Sequence, residues 1–77
     1  MTFSEFEEHV LCGREIEFVC RGEAFFIGNG VNDTYISNEN SKNVQYFKTR
    51  IDLVQSAKVF EHSLKNIWNE IKVEYVL

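Results

Sequence analysis

Four apolar residues recur at helical spacing near the start of the chain, in "TFSEFEEHVLCG", a pattern that predicts one buried side of a helix. They are Phe3, Phe6, Val10 and Leu11. Thr2 and Glu5 have the spacing of a capping box, and Ser4 with Glu7 is a second candidate. Gly13 can adopt the left-handed conformation that ends many helices, so we expect the helix to finish there.

The periodicity changes from helical to alternating in "REIEFVC", where apolar residues take every second position. Ile16, Phe18 and Cys20 form the apolar side, and Glu15 and Glu17 lie on the polar side. This pattern predicts a strand in a sheet with one face in water. "RGE" predicts a tight turn because glycine accepts positive φ, and "AFFIG" predicts the antiparallel partner strand. Because both sides of that partner are apolar, we expect it to lie nearer the centre of the sheet.

The segment "GNGVND", residues 28–33, contains two glycines in an arrangement found in part of some phosphate-binding loops. The G-x-G-x-x-G pattern also needs a third glycine and a following helix. Here the third glycine is missing, and the next residues, "TYIS", favour a strand. Asn29, Gly30, Asn32 and Asp33 tolerate left-handed turn conformations. We therefore predict a connection between two strands rather than a phosphate cradle.

The second half of the chain predicts one more strand and two helices. "SNENSKN" predicts a polar connection and "VQYFK" a fourth strand. Thr49 and Asp52 have capping-box spacing at the start of "TRIDLVQSAK", whose inward residues we expect to be Ile51, Leu53, Val54 and Ala57. "EHSLKNIWNEI" predicts another helix with Ser63 as its N-cap. The last residues, "KVEYVL", alternate and predict a short strand, although a continued helix also fits them.

These elements together predict a single α+β domain over residues 1–77. We expect an N-terminal helix, an antiparallel four-stranded sheet and two C-terminal helices packed on one sheet face. A short final strand is added if the last segment is extended.

Two segments resemble parts of small α+β proteins from low-GC Gram-positive bacteria and their phages. "FEEHVLCGREIEF" is similar to the junction between the first helix and the first strand in those proteins, and "IDLVQSAKVFEHSLKNIWNEIKVEYV" is similar to their C-terminal part. The shared residues are core and capping residues. The resemblance therefore implies a shared fold and carries over no catalytic residue.

Aromatic residues supply much of the core material of this short chain, which has seven Phe, three Tyr and one Trp. A chain of this length buries about 60% of its unfolded surface, so dimerisation is one way to add stability. Cys12 and Cys20 are too few for a disulfide scaffold and predict reduced thiols. The acidic N-terminus lacks the positive region of a signal peptide, and no apolar run reaches the ~18 residues of a membrane span. We expect a cytoplasmic protein with no membrane partner.

No group of residues has the spacing of a catalytic or metal site. His9 and Cys12 share the first helix, but the paired ligand spacings of zinc sites are absent. Cys20 is on the apolar side of its strand, where burial makes a thiol inert, and the helix C-terminus disfavours a thiolate at Cys12. Glu15 and Glu17, two apart on a polar strand side, are expected to be solvated. We expect no enzymatic activity, no metal and no cofactor.

Charge is unevenly distributed along the chain. Residues 1–39 contain eight acids and two bases, a charge of −6, whereas residues 40–77 contain four acids and six bases, a charge of +2. The net charge of −4 is repelled by phosphate backbones, so we expect no direct nucleic-acid binding. Two options remain, a basic protein partner or competition for a surface that normally receives nucleic acid.

Three functions are compatible with these features. The first is a small acidic, non-enzymatic protein-binding module, an inhibitor of the phage anti-defence or immunity type that occludes a basic surface of its partner. The second is a small-ligand or nucleotide-binding sensor that uses the Asn-rich loops as a homodimer, and the third is a structural component of a bacterial or phage assembly. Loops on a rigid sheet often carry binding residues. The candidate partner-binding residues are Glu15, Glu17, Glu23, Asn29, Asn32, Asp33 and Tyr35.

Overall fold

Two helices and two antiparallel sheets make up most of the chain, and the computed structural model describes all residues from 1 to 77. In chain order the elements are α1 (Phe3–Leu11), β1 (Ile16–Cys20), β2 (Glu23–Asn29), β3 (Thr34–Asn38), β4 (Val44–Phe47), α2 (Arg50–Ser56), β5 (Lys58–Val59), β6 (His62–Ser63), a 3₁₀ helix (Trp68–Glu70) and β7 (Ile71–Val76). The main sheet contains β1 to β4 and β7, and β5 pairs with β6 in the small second sheet.

Helix α1 begins at the first of the two predicted capping boxes. Thr2 Oγ1 accepts a hydrogen bond from Glu5 N at 3.1 Å, and Thr2 N donates to Glu5 Oε1 at 2.8 Å. The bond from Thr2 N stabilises the ionised carboxylate and so lowers the pKa of Glu5. Gly13 follows the helix with φ of +83°, which is the left-handed conformation expected at this position.

Thr49 is the N-cap of helix α2, and its hydroxyl accepts a hydrogen bond from Asp52 N at 3.1 Å. The buried residues of α2 are Leu53 and Val54, and Ala57 is buried directly after it. The prediction that Ile51 faces inward is wrong, because its side chain is 57% exposed. Neither helix is both long enough and apolar enough to cross a membrane.

The strands of the main sheet lie in the order β4-β3-β2-β1-β7, and every neighbouring pair is antiparallel. The prediction that β2 is more central than β1 is confirmed. Arg21 and Gly22 join β1 to β2 with φ of +50° and +76°, as in the two-residue turns that suit the twist of a hairpin. The connection predicted from "GNGVND" joins β2 to β3, and Gly30 N closes it by donating to Asp33 O at 2.9 Å.

One face of the main sheet carries the core and is covered by both helices. Five large apolar side chains on β1, β2 and β3 point inward and are 5% exposed or less: Ile16, Phe18, Phe25, Ile27 and Ile36. Phe6 of α1 meets Phe18 edge to face, with ring centroids 6.4 Å apart. Phe18 in turn stacks on Phe25 at 5.0 Å, so aromatic contacts join the helix to two strands.

The α+β class is confirmed, but the prediction of four strands and two C-terminal helices is wrong. Residues Ile71–Val76 form a full strand that pairs with β1, so the main sheet has five strands. The segment "EHSLKNIWNEI" contains β6, a turn and the 3₁₀ helix instead of an α-helix. Ser63 Oγ does accept a hydrogen bond from Asn66 N at 3.2 Å, as an N-cap would. The helical turn that begins there stops after Ile67 N donates to Ser63 O.

Contacts with distant residues explain why this segment departs from its helical periodicity. Phe60 and Glu61, between β5 and β6, have φ of +50° and +69°, at positions where glycine or asparagine is usual. The Phe60 ring lies 5.9 Å from the ring of Phe25, and the Arg21 guanidinium lies 5.3 Å from its centroid. Arg21 also forms a two-point ion pair with Glu70, at 2.8 and 3.2 Å. These tertiary contacts override the local helical preference.

Candidate functional site

The face of the main sheet opposite the helices has no helix packed on it, and we call it the open face. Its side chains come from alternate positions of all five strands: Glu17, Val19, Ala24, Phe26, Gly28, Tyr35, Ser37, Val44, Tyr46, Lys72 and Tyr75. Tyr46 on the β4 edge is 66% exposed, and Tyr75 on the β7 edge is 62% exposed. The open face is therefore an aromatic surface in contact with solvent.

Three aromatic rings form a row across β2, β3 and β4. The ring centroid of Tyr35 lies 6.2 Å from that of Phe26 and 6.0 Å from that of Tyr46. Gly28 pairs with Tyr35 and has no side chain, so the neighbouring rings can lie over its backbone. A Cβ atom at Gly28 would lie 2.6 Å from Tyr35 Oη and 2.7 Å from Phe26 Cε2, so both rings lie against the glycine.

Carboxylates lie beside the aromatic row on the β1 and β7 side of the open face. Glu17 pairs with Phe26 on one side and with Tyr75 on the other, so it stands between two aromatic residues. A hollow of about 310 Å³ is lined by Glu17, Glu39, Glu74 and Tyr75, among others. Glu74 is the extra residue of a β-bulge in β7, and a bulge re-aims the side chains around it.

Negative charge dominates this part of the surface. Three exposed carboxylates, those of Glu17, Glu39 and Glu74, line the hollow, whereas Lys72 is the one base among the open-face residues. Carboxylates accept hydrogen bonds from guanidinium and ammonium groups, and the faces of aromatic rings attract the same cations. The open face therefore has the chemistry to bind basic side chains.

Three of the seven candidate residues from the sequence lie on the open-face side of the sheet. Tyr35 and Glu17 are part of it, and Glu15 precedes β1 at the alternate position on the same side as Glu17. Glu23 does not join them, because it pairs with a buried residue of β1 and turns to the other face. Its carboxylate accepts a hydrogen bond from Asn38 Nδ2 at 2.9 Å.

The remaining three candidates, Asn29, Asn32 and Asp33, lie at one end of the sheet beside the start of α2. Asn29 links neighbouring segments, since its Nδ2 donates to a backbone carbonyl before β1 at 2.9 Å and its Oδ1 accepts from Arg50 Nε at 3.2 Å. Asn32 and Asp33 are exposed. All three line a cavity of about 560 Å³, together with Lys48 and Arg50. We call it the end cavity.

Four residues of the open face and of the hollow beside Glu17 were not among the candidates from the sequence: Glu39, Tyr46, Glu74 and Tyr75. The alternation in "VQYF" contains enough information to place Tyr46 on the same side as Tyr35 of a neighbouring strand. Tyr75 is different, because simple alternation places it on the same side as Val73. The bulge at Glu74 moves the Tyr75 side chain to the open face, and no residue type in the sequence predicts that bulge.

The other reactive side chains form no cluster. No group of three or more His, Cys, Asp or Glu side chains is placed to hold a metal ion. Cys12 is exposed, Cys20 is buried, and both are free thiols. Burial raises the pKa of the Cys20 thiol, and the nearby carboxylate of Glu70 raises it further. Cys20 is therefore a packing residue rather than a nucleophile.

No protein-family model matches this chain, and no curated protein or solved structure matches it either. An α+β fold by itself does not specify a function. The open face and the end cavity are therefore the features from which a function can be argued.

Proposed function

We propose that the protein is a non-enzymatic binding module whose open face docks onto a basic surface of another protein. One observation carries the proposal: Phe26, Tyr35, Tyr46 and Tyr75 share an uncovered sheet face with the Glu17 carboxylate. Aromatic side chains are enriched at protein interfaces because they combine a large apolar area with specific geometry. An inhibitor of the anti-defence or immunity type acts in this way when it occludes the working surface of its target.

Arginine and lysine side chains are the natural contacts for this surface. A cation over an exposed aromatic ring contributes roughly 0.5–1 kcal/mol, and more once water is excluded. A guanidinium group also forms two parallel hydrogen bonds to a carboxylate. Complementary charge accelerates encounter and selects among partners, so an acidic binder associates fastest with a basic target.

A nucleic acid is a poorer fit to the same face. Exposed aromatic residues on a sheet do stack on unpaired bases in several RNA-binding domains. Those surfaces also need cations for the phosphates, whereas Glu17, Glu39 and Glu74 place negative charge here. The charge of the face supports a protein partner.

The proposal is tested by reversing charge on the open face and, separately, elsewhere. Glu15→Lys with Glu17→Lys changes the face, and Glu8→Lys with Glu61→Lys makes the same change in net charge on exposed residues of α1 and of the β5–β6 turn. Tagged wild-type protein and both variants are used to capture proteins from a lysate of the source organism, with quantitative mass spectrometry. Circular dichroism establishes that both variants fold.

We expect one basic protein to be captured by the wild type and by the Glu8/Glu61 control and lost from the Glu15/Glu17 variant. Titration of that purified protein against Tyr46→Ser should then show weaker binding, since the Tyr46 ring is exposed on the same face. A target that the Glu15/Glu17 variant still binds with unchanged affinity contradicts the proposal. Equal losses from both charge variants also contradict it, because they show a response to net charge alone.

A second candidate function is the binding of a nucleotide or another small anion in the end cavity. Its volume of about 560 Å³ lies within the usual range for small-molecule sites of roughly 300–1,000 Å³. Lys48 and Arg50 supply positive charge, and Asn32 offers an amide for hydrogen bonding. Arg50 is also oriented by its hydrogen bond to Asn29.

Thermal unfolding in the presence of separate nucleotides tests the second candidate. A ligand that binds only the folded chain at a hundredfold excess over its Kd stabilises it by about 2.7 kcal/mol. The rise in melting temperature should disappear in Lys48→Ala and persist in Lys65→Ala, an exposed lysine outside the cavity. No shift with any nucleotide, or equal shifts in both variants, contradicts this candidate.

A further inference from the structure

Strand β7 leaves one side of its backbone without a partner, because it is the last strand of the main sheet and pairs only with β1. It is six residues long and contains no proline. Phe18 pairs with Phe25 two positions from the turn that closes the β1–β2 hairpin, and alternation directs the Phe18 backbone groups toward β2. Val73, which is opposite Phe18 on the other side, therefore directs its N–H and C=O to the free edge.

A hollow lined mainly by apolar residues, which we call the apolar hollow, lies beside this edge on the helix side of the sheet. It has a volume of about 270 Å³ and is lined by Met1, Trp68, Ile71, Lys72 and Val73. Met1 is 56% exposed, and Ile71, Val73 and Trp68 are only half-buried. Apolar side chains of β7 are therefore incompletely covered at the point where the sheet ends.

The other side of the same edge borders the acidic part of the open face. Glu74 and Tyr75 of β7 line the hollow that Glu17 and Glu39 share. Lys72 of β7 is the one base on this side. The side chains of an extended strand alternate between the two faces of a sheet. A strand added beside β7 would therefore direct one set of its side chains to the apolar hollow and the other set to the carboxylates.

We propose that an extended segment of the partner protein, with alternating apolar and basic residues, adds to β7 as a sixth strand of the sheet. This inference rests on the proposed function, because the segment belongs to the same basic partner. Main-chain hydrogen bonds supply the affinity in strand addition, and alternate side chains supply the specificity. The apolar residues occupy the hollow near Trp68 and Val73, and the basic residues reach Glu17 and Glu74.

A second copy of this chain is the weaker occupant of the edge. Two β7 strands joined edge to edge would bring the carboxylates of Glu17 and Glu74 from both copies onto one continuous face, where like charges repel. The bulge at Glu74 limits the regular pairing of either occupant, so the charge beside the edge decides between them in favour of a basic peptide segment.

Two labelled peptides of identical composition provide the test. One alternates arginine and valine along its length, and the other contains the same residues with all arginines before all valines. Fluorescence anisotropy measures binding, and hydrogen exchange by NMR reports on the Val73 amide. We expect the alternating peptide to bind at least about tenfold more tightly than the block peptide, a difference of about 1.4 kcal/mol. It should also slow exchange at Val73.

Two changes remove backbone N–H donors, one in the protein and one in the peptide. They distinguish binding by strand addition from binding by charge attraction alone. Val73→Pro removes the outward N–H at a position where an edge strand tolerates proline. An alternating peptide methylated on every second backbone nitrogen tests the same bonds with the protein unchanged, in case Val73→Pro fails to fold. We expect both changes to abolish the preference for the alternating peptide.

The outcomes distinguish failure of this inference from failure of the proposed function. In one outcome both peptides bind equally well, Glu17→Gln weakens the binding of both, and hydrogen exchange at the Val73 amide does not change. This outcome overturns strand addition and leaves the open face as the binding surface. Edge-dependent binding that Glu17→Gln does not alter supports strand addition and overturns the role of the face. Binding of neither peptide overturns strand addition. A dimer in sedimentation that Val73→Pro dissociates shows that a second copy occupies the edge, and this also overturns the inference.

Discussion

Gly28 determines how closely the aromatic row of the open face packs on the sheet. Its backbone has no positive φ, so alanine is allowed there by conformation alone, but a Cβ would lie 2.6 Å from Tyr35 Oη and 2.7 Å from Phe26 Cε2. Displacing packed side chains costs about 1–3 kcal/mol, and the lower backbone entropy of alanine returns roughly 0.5–1 kcal/mol. We expect Gly28→Ala to destabilise the protein by roughly 1 kcal/mol in urea denaturation.

A double-mutant cycle shows whether the Tyr35 ring causes that loss. In a Tyr35→Ala background one of the two ring contacts is gone, so Gly28→Ala should cost less than it does in the wild type. Contacting residues typically show coupling of about 0.5–3 kcal/mol. A cost that is the same in both backgrounds would mean that Tyr35 does not pack on Gly28 in solution.

At the scale of elements, the structure decides between two capping boxes that the sequence allows for α1. The Thr2 hydroxyl accepts the hydrogen bond from Glu5 N, whereas no such bond is made by Ser4. Loss of an N-cap hydroxyl costs typically about 1 kcal/mol. We expect Thr2→Ala to lower the free energy of unfolding by about that amount and Ser4→Ala to change it by less than about 0.5 kcal/mol. Comparable effects of the two variants in urea denaturation would contradict this assignment.

The elements that the sequence predicts well are those defined by local signals. The Thr2 cap and Gly13 bound α1, and glycine with alternating apolar residues defines the β1–β2 hairpin. The helix predicted in "EHSLKNIWNEI" is wrong because the decisive contacts of that segment are distant in sequence. Leu64 and Ile67 are both buried with helical spacing, but β5 and β6 turn at Phe60 and Glu61, which are not typical turn residues.

As with the elements, only part of the open face could be predicted from the sequence. Alternation in "REIEF" and "TYIS" places Glu17 and Tyr35 on the outer side of their strands, and the structure places them there. Tyr75 depends on a bulge, and Glu39 lies in a connection whose path no periodicity describes. Residues on regular strands could therefore be assigned to this surface, and those positioned by irregular backbone could not.

The ion pair between Arg21 and Glu70 joins the β1–β2 turn to the 3₁₀ helix and carries a pH dependence. Hydrogen bonding to Arg21 lowers the pKa of Glu70, so the folded chain favours the ionised carboxylate. The resulting stability is present above the unfolded pKa near 4.3 and is lost as the pH falls through the lower pKa of the folded state. We expect Glu70→Gln to lower the melting temperature at neutral pH and to match the wild type in strong acid. The control is Glu61→Gln, which removes an exposed carboxylate without an ion pair and should show no such convergence.

At the scale of the whole molecule, the acidic charge of residues 1–39 is divided among several surfaces. Three of its eight acids, Glu5, Glu7 and Glu8, lie on α1, away from the open face. Glu23 faces the helix side, and Asp33 lies at the end cavity. Under the proposed function, we therefore expect a partner to be selected by the local charge around Glu17 rather than by the charge of the acidic half, and the Glu8/Glu61 control tests this expectation.

Strand β7 is an edge strand, yet the whole fold should depend on it. It pairs along all of β1, and Ile71, Val73 and Val76 pack against the core. Without it β1 would become the edge, and Ile16 and Phe18, both 0% exposed, would lose part of their cover. Since domains of this size are stable by only about 0.05–0.15 kcal/mol per residue, we expect a chain of residues 1–70 to show no cooperative urea transition in circular dichroism. A chain of residues 1–76 should retain the transition, with the fluorescence of Trp68 changing at the same midpoint. A cooperative transition in the 1–70 chain would show that the fold does not need β7. In that case a partner strand could replace β7 beside β1, and β7 would not be a fixed edge to which a partner strand adds.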